Sequence, residues 1–271
     1  MTRTTTTRRA AIAALASLSL GAALTVFAPF ASAQSVADIK KKGEITIGML
    51  VDFPPYGTTD AKNQPDGYDA DVAKLLAKDW GVKANIVPVT GPNRIPFLLT
   101  NKVDLLVASL AITPERAKQV DFSIPYAAAS VVLYGAKKVD IKTAGDFKGK
   151  RLGVARASTQ DVALTAMAAE GTEIRRFDDD ASAMQAMLSG QVDAIGCSTT
   201  VAAQIAKRAP ANTFEQKMVL REQVMGIVLR PGQPELKKAV DDFVVRNKAN
   251  GELNKLYQKW LATDFPALPN S

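Results

Sequence analysis

Short apolar segments alternate with amphipathic segments along most of this 271-residue chain, and this alternation limits the folds open to it. The apolar segments are bounded by polar residues or glycine, which is typical of buried parallel strands; they lie at 45–50, 103–110, 152–155 and 192–195. The segments between them place apolar residues at helical spacing; they lie at 69–80, 160–169, 181–188 and 201–207. The alternation predicts an α/β fold with ligands at the carboxyl ends of the strands.

The chain contains no histidine and one cysteine, Cys197. This composition excludes Ser-His-Asp triads, HExxH zinc sites, an intramolecular disulfide and thiolate metal clusters. The sequence also has no GxGxxG or Walker A phosphate loop, so we expect no cofactor, no metal and no catalytic residue. The acids Asp178, Asp179 and Asp180 could be read as a metal cluster, but acids before a helix more often complement its dipole.

The first 33 residues have the pattern of an export signal. Arg3, Arg8 and Arg9 precede an apolar stretch at 10–30 and the sequence Ala-Ser-Ala at 31–33. Charged, apolar and small residues in this order are typical of a cleavable signal peptide. We therefore expect secretion to the periplasm, by the Sec or the twin-arginine route. Cleavage leaves 238 residues with 31 basic and 27 acidic side chains, a net charge of +4 that does not favour nucleic acid as a partner.

A loop with one acid, two aromatic residues and two prolines follows the first predicted strand, in the sequence Asp52-Phe53-Pro54-Pro55-Tyr56. The two prolines restrict this loop to an extended turn. The loop can form the rim of a ligand site through its acid and its aromatic rings. It can equally be a stiff turn with one buried ring.

Groups that bind anions occur at three further junctions between strand and helix. Thr113 is suited to cap a helix with Pro114 at its first position, and this puts Arg116 in a first turn where a cation opposes the helix dipole. A bound carboxylate would remove this conflict, while the alternative is a surface arginine paired with an acid. The segment 156–161 offers hydroxyls and free N–H groups at another helix start, and Arg94 lies near a third. Together the junctions favour a site for a carboxylate.

Nine short motifs, in order along the chain, resemble those of family 3 extracellular solute-binding proteins of polar amino-acid ABC transporters. They are ITIG (45–48), PY (55–56), GYDAD (67–71), IPFL (95–98), KVD (102–104), ITPER (112–116), FSIPY (122–126), STQ (158–160) and GQVD (190–193). The resemblance implies a type II periplasmic binding protein fold, in which two lobes enclose the ligand. It places the crossings between lobes near 127–131 and 222–225. Lobe 1 is then 34–128 with 224–271, and lobe 2 is 129–223. In the segment 234–261, apolar residues that include Tyr257 and Trp260 recur at helical spacing, which predicts a pair of amphipathic helices with both aromatic residues on the packed face. The resemblance implies that this pair packs on lobe 1.

The resemblance also implies roles for individual residues. The ligand carboxylate would be held by Arg116, by groups around Ser109 and Ala111, and by N–H groups at Ser158 and Thr159, while Phe53 would cover the apolar part of the ligand. The full set of expected ligand-binding residues is Asp52, Phe53, Arg94, Ser109, Ala111, Arg116, Ser158, Thr159, Gln160 and Ser198.

Two positions bear on the identity of the ligand: Ser198, which departs from the family pattern, and Arg94, which points to one branch of the family. The family commonly has an aspartate, paired with the ligand ammonium, at the position of Ser198. A buried ammonium without a carboxylate is unfavourable, so Asp52 or Asp161 takes that role or the ligand lacks the amine. The sequence around Arg94 is similar to the branch that binds glutamate and aspartate, where an arginine reaches the side-chain carboxylate.

The sequence therefore predicts a periplasmic binding protein, and not an enzyme, that captures a polar or acidic amino acid or a related small carboxylate. Its partners would be this ligand and an inner-membrane ABC permease, and we expect a monomer. Two alternatives remain open on the same fold. One is an exported enzyme similar to cyclohexadienyl dehydratase, and the other is a ligand-presenting partner of a sensor or chemoreceptor.

Overall fold

The computed structural model describes residues 34–269, so the predicted signal segment lies outside the described residues. The helices are α1 (Val36–Lys42), α2 (Tyr68–Trp80), α3 (Arg94–Leu99), α4 (Pro114–Ala117), α5 (Thr159–Met167), α6 (Asp180–Leu188), α7 (Thr199–Arg208), α8 (Pro234–Ala249) and α9 (Glu252–Leu261), with one 3-10 turn at Ala144–Phe147. None of the helices within this range is long and apolar enough to cross a membrane.

Eight strands form one mixed sheet. They are β1 (Glu44–Leu50), β4 (Lys83–Val89), β5 (Leu105–Leu106), β6 (Asp121–Ala136), β7 (Arg151–Ala155), β8 (Glu173–Phe177), β9 (Ala194–Ser198) and β10 (Phe214–Leu229); β2 (Thr58–Thr59) and β3 (Pro65–Asp66) form a separate hairpin. The spatial order is β4-β1-β5-β10-β6-β9-β7-β8. The strands β4, β1 and β5 are parallel to each other, as are β9, β7 and β8. We refer to these sets and their helices as the β1 half and the β7 half.

The long strands β6 and β10 join the two halves as an antiparallel pair. Ala128 is paired with Val224 and Ala129 with Gln223, so the two segments predicted as crossings lie side by side. Both strands run between the halves as extended chain, and they bring the carboxyl ends of the parallel strands of each half toward a shared space.

The predicted alternation of strands and helices is confirmed, but one strand is much shorter than expected. The apolar segment 103–110 contributes only Leu105–Leu106 to the sheet. Beyond it, the Val107 N–H still donates to the Gly48 carbonyl, and Ser109 then adopts a left-handed conformation with φ of 48°. The continuous apolar pattern reflects burial of this turn, because every residue from 105 to 111 is buried.

The helix pair at the C-terminus also forms as predicted, and it packs on the β1 half. Helix α8 lies against β6, and α9 lies against α2. Tyr257 is buried and Trp260 is partly buried, with its indole N–H 2.7 Å from an Asp71 carboxylate oxygen. Both aromatic residues therefore serve packing, as their helical spacing predicts.

Candidate functional site

A small cavity of about 40 Å³ lies between the β1 half and the β7 half. Nine of the ten residues predicted to bind ligand line it, and Ser198 does not. We call this space the main cavity. Its polar and charged lining residues are Asp52, Arg94, Ser109, Arg116, Arg156, Ser158, Thr159, Gln160, Asp178, Asp179, Asp180 and Gln223.

The loop after β1 carries Asp52 and Phe53 to the main cavity. Phe53 and Gly57 exchange two backbone hydrogen bonds of 2.9 Å, which close the loop across the cis Pro54–Pro55 bond. A Cβ atom at Gly57 would lie 1.9 Å from the Leu50 carbonyl oxygen, so only glycine fits there. The Phe53 ring is buried and stacks on Tyr56 at 5.4 Å, so the loop is both a stiff turn with a buried ring and part of the cavity wall.

Ser109 is held by a buried network and does not offer its own donors to the main cavity. Its hydroxyl donates to Asp69 Oδ2 over 2.6 Å, and its N–H donates to the Tyr126 hydroxyl over 3.1 Å. The Tyr126 hydroxyl in turn donates to Asp69 Oδ1 over 2.7 Å. Asp69 is fully buried, and this burial raises its pKa to about 6 even though both bonds oppose the rise. The network fixes the turn that carries Ser109 and Ala111.

Arg116 connects the two halves. Thr113 caps α4 by accepting the Arg116 N–H, as predicted, with Pro114 at the start of the helix. The guanidinium donates from Nη1 to the Ala111 carbonyl (3.0 Å) and from Nη2 to the Ala157 carbonyl of the opposite half (3.1 Å). Within residues 34–269, no carboxylate lies within 4 Å of it. Burial lowers the pKa of Arg116 to about 9, and the positive charges of Arg94 and Arg221 add to this effect. The charge of Glu115 opposes it, but no carboxylate in the described part of the chain forms an ion pair with the guanidinium.

Arg94 is more deeply buried and is fixed by backbone carbonyls. Its Nη1 donates to Ala108 (3.0 Å) and its Nε to Gly91 (3.3 Å). Burial lowers the pKa of Arg94, and the charges of the Asp52 and Asp180 carboxylates oppose this effect most strongly. Arg94 therefore faces acids of the protein itself, in contrast to Arg116.

The start of α5 presents backbone donors to the main cavity. The Ser158 hydroxyl donates to the Ala155 carbonyl (2.5 Å) and accepts the Asp161 N–H (3.1 Å), so this side chain caps the helix. Thr159 Oγ1 donates to Gln223 Oε1 of β10 over 2.5 Å. Because these hydroxyls are occupied within the protein, the groups left for an anion are the N–H groups of the first helical turn.

The acids at 178–180 have three different roles, and the sequence predicts one of them, that of an acid at a helix start. Asp179 caps α6 by accepting the Ser182 N–H, which fits the predicted role at a helix start. Asp178 pairs with Arg156 at the exposed rim, over 3.2 Å. Asp180 lines the main cavity and accepts from Gln160 Nε2 over 3.2 Å. Residues 34–269 contain no group of three or more His, Cys, Asp or Glu side chains suited to hold a metal ion.

Asp52 and Asp180 are carboxylates with raised pKa values. Burial is the main cause, and it raises the pKa of Asp52 to about 6 and that of Asp180 to about 7. The Asp52 carboxylate adds to the rise at Asp180, while Arg94 opposes the rise at both. Asp180 follows a strand that ends at the same sheet edge as the other lining residues, which is the signal that could have identified it.

Two residues considered for ligand binding lie elsewhere. Ser198 caps α7 by accepting the Val201 N–H, and its hydroxyl lies 2.7 Å from that of Thr200. Asp161 pairs with Arg176, with both carboxylate oxygens within 3.0 Å of Nε. Neither residue is part of the main-cavity lining. A serine at a helix start is a capping residue on local grounds alone, and this explains Ser198.

Comparison with known proteins agrees with the resemblance seen in the sequence. Residues 45–263 match the family described as bacterial extracellular solute-binding proteins, family 3. The chain is 28% identical over 237 residues to an L-cystine-binding protein of Escherichia coli strain K12, covering 87% of this chain and 89% of that protein.

Two solved structures show the same fold. A mutant of ArgBP from T. maritima has a TM-score of 0.78 at 30% identity and covers 85% of this chain and 100% of its own. An ancestral amino acid-binding protein, described as a precursor of cyclohexadienyl dehydratase, has a TM-score of 0.77 at 34% identity and covers 83% and 98%. These matches confirm the predicted α/β fold of type II periplasmic binding proteins. This chain belongs to family 3 of the bacterial extracellular solute-binding proteins.

Proposed function

We propose that this protein is the amino acid-binding component of an ABC transporter. The observation that carries the proposal is Arg116, a partly buried cation without a carboxylate within 4 Å in the described range, beside the start of α5. A ligand carboxylate placed there would receive a charged guanidinium from the β1 half and backbone N–H groups from the β7 half. The cystine-binding protein and the ancestral protein named above are described as binding amino acids, and ArgBP from T. maritima has also been solved in an arginine-bound form.

The two lobes of the proposal have the bounds expected from the sequence. Lobe 1 comprises 34–128 and 224–271, and lobe 2 comprises 129–223. Because β6 and β10 are the long strands between them, small changes of backbone angle near 127–131 and 222–225 would open and close the main cavity. The ligand would stabilise the closed form by contacting both lobes, and an inner-membrane permease would recognise that form.

The protein would act outside the cytoplasmic membrane as a single chain. We infer that residues 1–33 direct export to the periplasm and that the mature protein acts as a monomer. Phe53 would contact the apolar part of the ligand. Gln160 and Thr159 would shape the wall of the β7 half, and no bond of the ligand would be broken.

A thermal-melt screen tests the proposal. The mature protein is mixed with each of the twenty L-amino acids and with L-cystine. At 100 times its Kd, a ligand should raise the free energy of unfolding by about 2.7 kcal/mol, which a melting curve resolves. No shift with any of these compounds would contradict the proposed function. Conversion of prephenate or arogenate by the purified protein would instead support the dehydratase alternative.

A further inference from the structure

We infer that Asp52 and Asp180 together form the subsite for a positively charged group of the ligand, and that the protein therefore selects amino acids without an acidic side chain. The inference rests on the proposed function and names the ligand class for the same site. It assigns to this pair the role that the family commonly gives to the position of Ser198.

The two carboxylates face each other across the main cavity. Asp52 follows β1 and Asp180 begins α6, so the two carboxylates approach the main cavity from opposite halves. Both residues also line an adjoining chamber of about 160 Å³, together with Pro54 and Met184. The pair thus lies at the junction of two open spaces. A ligand group at this junction would contact both halves at once, as the carboxylate does at Arg116.

The oxygens of this pair have fewer hydrogen-bond donors than they can accept. The Asp52 Oδ1 atom is buried and has no hydrogen-bond partner among the described residues. Asp180 receives one bond, from Gln160 Nε2, which occupies one of its two oxygens. Buried carboxylate oxygens normally have donors, and an ammonium group supplies three. A ligand cation between the two side chains would therefore supply the missing donor to Asp52 Oδ1 and a further donor to Asp180.

Negative charge exceeds positive charge around the pair. Arg94 is the cation that acts electrostatically on both carboxylates of the pair, and it acts on the buried Asp69 as well. One arginine thus compensates three carboxylates, and Asp179 adds a further negative charge beside the pair. Arg116, in contrast, has Arg94 and Arg221 as its charged neighbours, with Glu115 opposing them. The main cavity accordingly has a positive end at Arg116 and a negative end at Asp52 and Asp180, which matches a zwitterion.

The same charge balance disfavours an acidic side chain. A second ligand carboxylate directed toward Arg94 would also approach Asp52 and Asp180, and like charges at close range repel. The sequence around Arg94 predicts a glutamate or aspartate ligand, but the charge of this guanidinium is already compensated by the surrounding carboxylates Asp52, Asp69 and Asp180. Amide, apolar or basic side chains remain compatible with the site.

The test is calorimetric titration of four proteins: the wild type, Asp52→Asn, Asp180→Asn and Asp161→Asn. The probe is the compound from the panel of twenty L-amino acids and L-cystine that gives the largest wild-type melting shift. Asn keeps the shape of Asp and can still accept from Gln160. We expect affinity to fall at least tenfold in each cavity variant. The matched control Asp161→Asn, which removes the ion pair with Arg176 outside the main cavity and can still accept from Thr165, should bind within twofold of wild type.

Different outcomes separate the two proposals. If no compound of the panel binds the wild type, the proposed function fails, and this inference fails with it. If the wild type binds but both Asp52→Asn and Asp180→Asn retain its affinity within twofold, only the inference is wrong. Tighter wild-type binding of L-glutamate than of L-glutamine would overturn it as well. Melting curves of the unliganded variants verify that each one is folded.

Discussion

Arg116 Nη2 donates a 3.1 Å hydrogen bond to the carbonyl oxygen of Ala157, and this bond joins a helix of the β1 half to a loop of the β7 half. The same guanidinium holds the Ala111 carbonyl of its own half. Arg116 thus bridges the two halves through neutral acceptors while its charge stays uncompensated. A carboxylate is a stronger acceptor than a carbonyl, so ligand binding would strengthen a bridge that already has the right position.

Replacing Arg116 by alanine should abolish measurable binding of amino acids and leave the fold intact. Hydrogen bonds to charged groups contribute about 1.5–3 kcal/mol each, so two bonds to a carboxylate predict a loss of 100-fold or more. Titration calorimetry measures this loss. Burial disfavours this cation, so the melting temperature without ligand should not fall. The control is Arg176→Ala, which removes an arginine paired with Asp161 outside the cavity. Equal affinity of the Arg116 variant and this control would contradict the site.

Replacing Tyr126 by phenylalanine should destabilise the turn that carries Ser109. The change removes the acceptor of the Ser109 N–H and one donor to the buried Asp69. An unsatisfied buried polar group costs about 1–3 kcal/mol, which predicts a lower melting temperature and weaker ligand binding. Tyr68→Phe is the matched control, because its hydroxyl bonds only to the Tyr126 carbonyl and lies outside the main-cavity lining. A larger loss of affinity in the control would show that the network does not position the site.

Much of the site could be predicted from local rules. Thr113 and Ser158 are helix caps by residue type and spacing, and both act as such. Each cap follows a strand of a parallel set, and the carboxyl ends of parallel strands share one edge of a sheet. This topological rule is sufficient to bring Asp52, Arg116 and the start of α5 into one cavity without any knowledge of packing.

The roles of other site residues depend on contacts between distant segments, which the sequence does not reveal. Asp180 and Asp179 are both acids at a helix start, and only the tertiary structure determines that one caps the helix while the other faces the cavity. Ser109 has a hydroxyl suited to a ligand, but Asp69, forty residues earlier, takes it. Sequence patterns report residue type and period, and neither reveals which partner a side chain finds.

Replacing Gly57 by alanine should disturb the loop that carries Asp52 and Phe53. The added Cβ atom would lie 1.9 Å from the Leu50 carbonyl oxygen, so the backbone has to move. Overpacking of this kind costs about 1–3 kcal/mol, and the displaced Asp52 should also weaken ligand binding. Gly145→Ala is the control, since its nearest atom would be 3.5 Å away. Melting and titration of both variants check the prediction, and identical behaviour would refute it.

The stability of the unliganded protein should depend on pH through Asp52 and Asp180. Burial raises the pKa of Asp52 to about 6 and that of Asp180 to about 7, from an ordinary value of 3.8. Between the ordinary value and these raised values, the folded protein therefore binds more protons than the unfolded chain. Unfolding free energy therefore falls as pH rises through this interval. The charged and titratable groups that face the pair are Asp179, Arg94 and the Cys197 thiol.

The substitution Asp180→Asn should remove part of this decrease in unfolding free energy with rising pH. At pH 5 the Asp180 side chain of the wild type is mainly protonated in the folded state, and the variant should melt at nearly the same temperature. At pH 8 the variant should be more stable than wild type by on the order of 1 kcal/mol, since it has no charge to bury. Asp193→Asn is a control with the opposite sign, because bonds from Arg151 hold the pKa of Asp193 below its ordinary value, so losing this carboxylate should lower stability at pH 8. Melting curves from pH 5 to 8 measure both effects, and a destabilised Asp180→Asn at pH 8 would show that Asp180 already has a counter-charge within the protein.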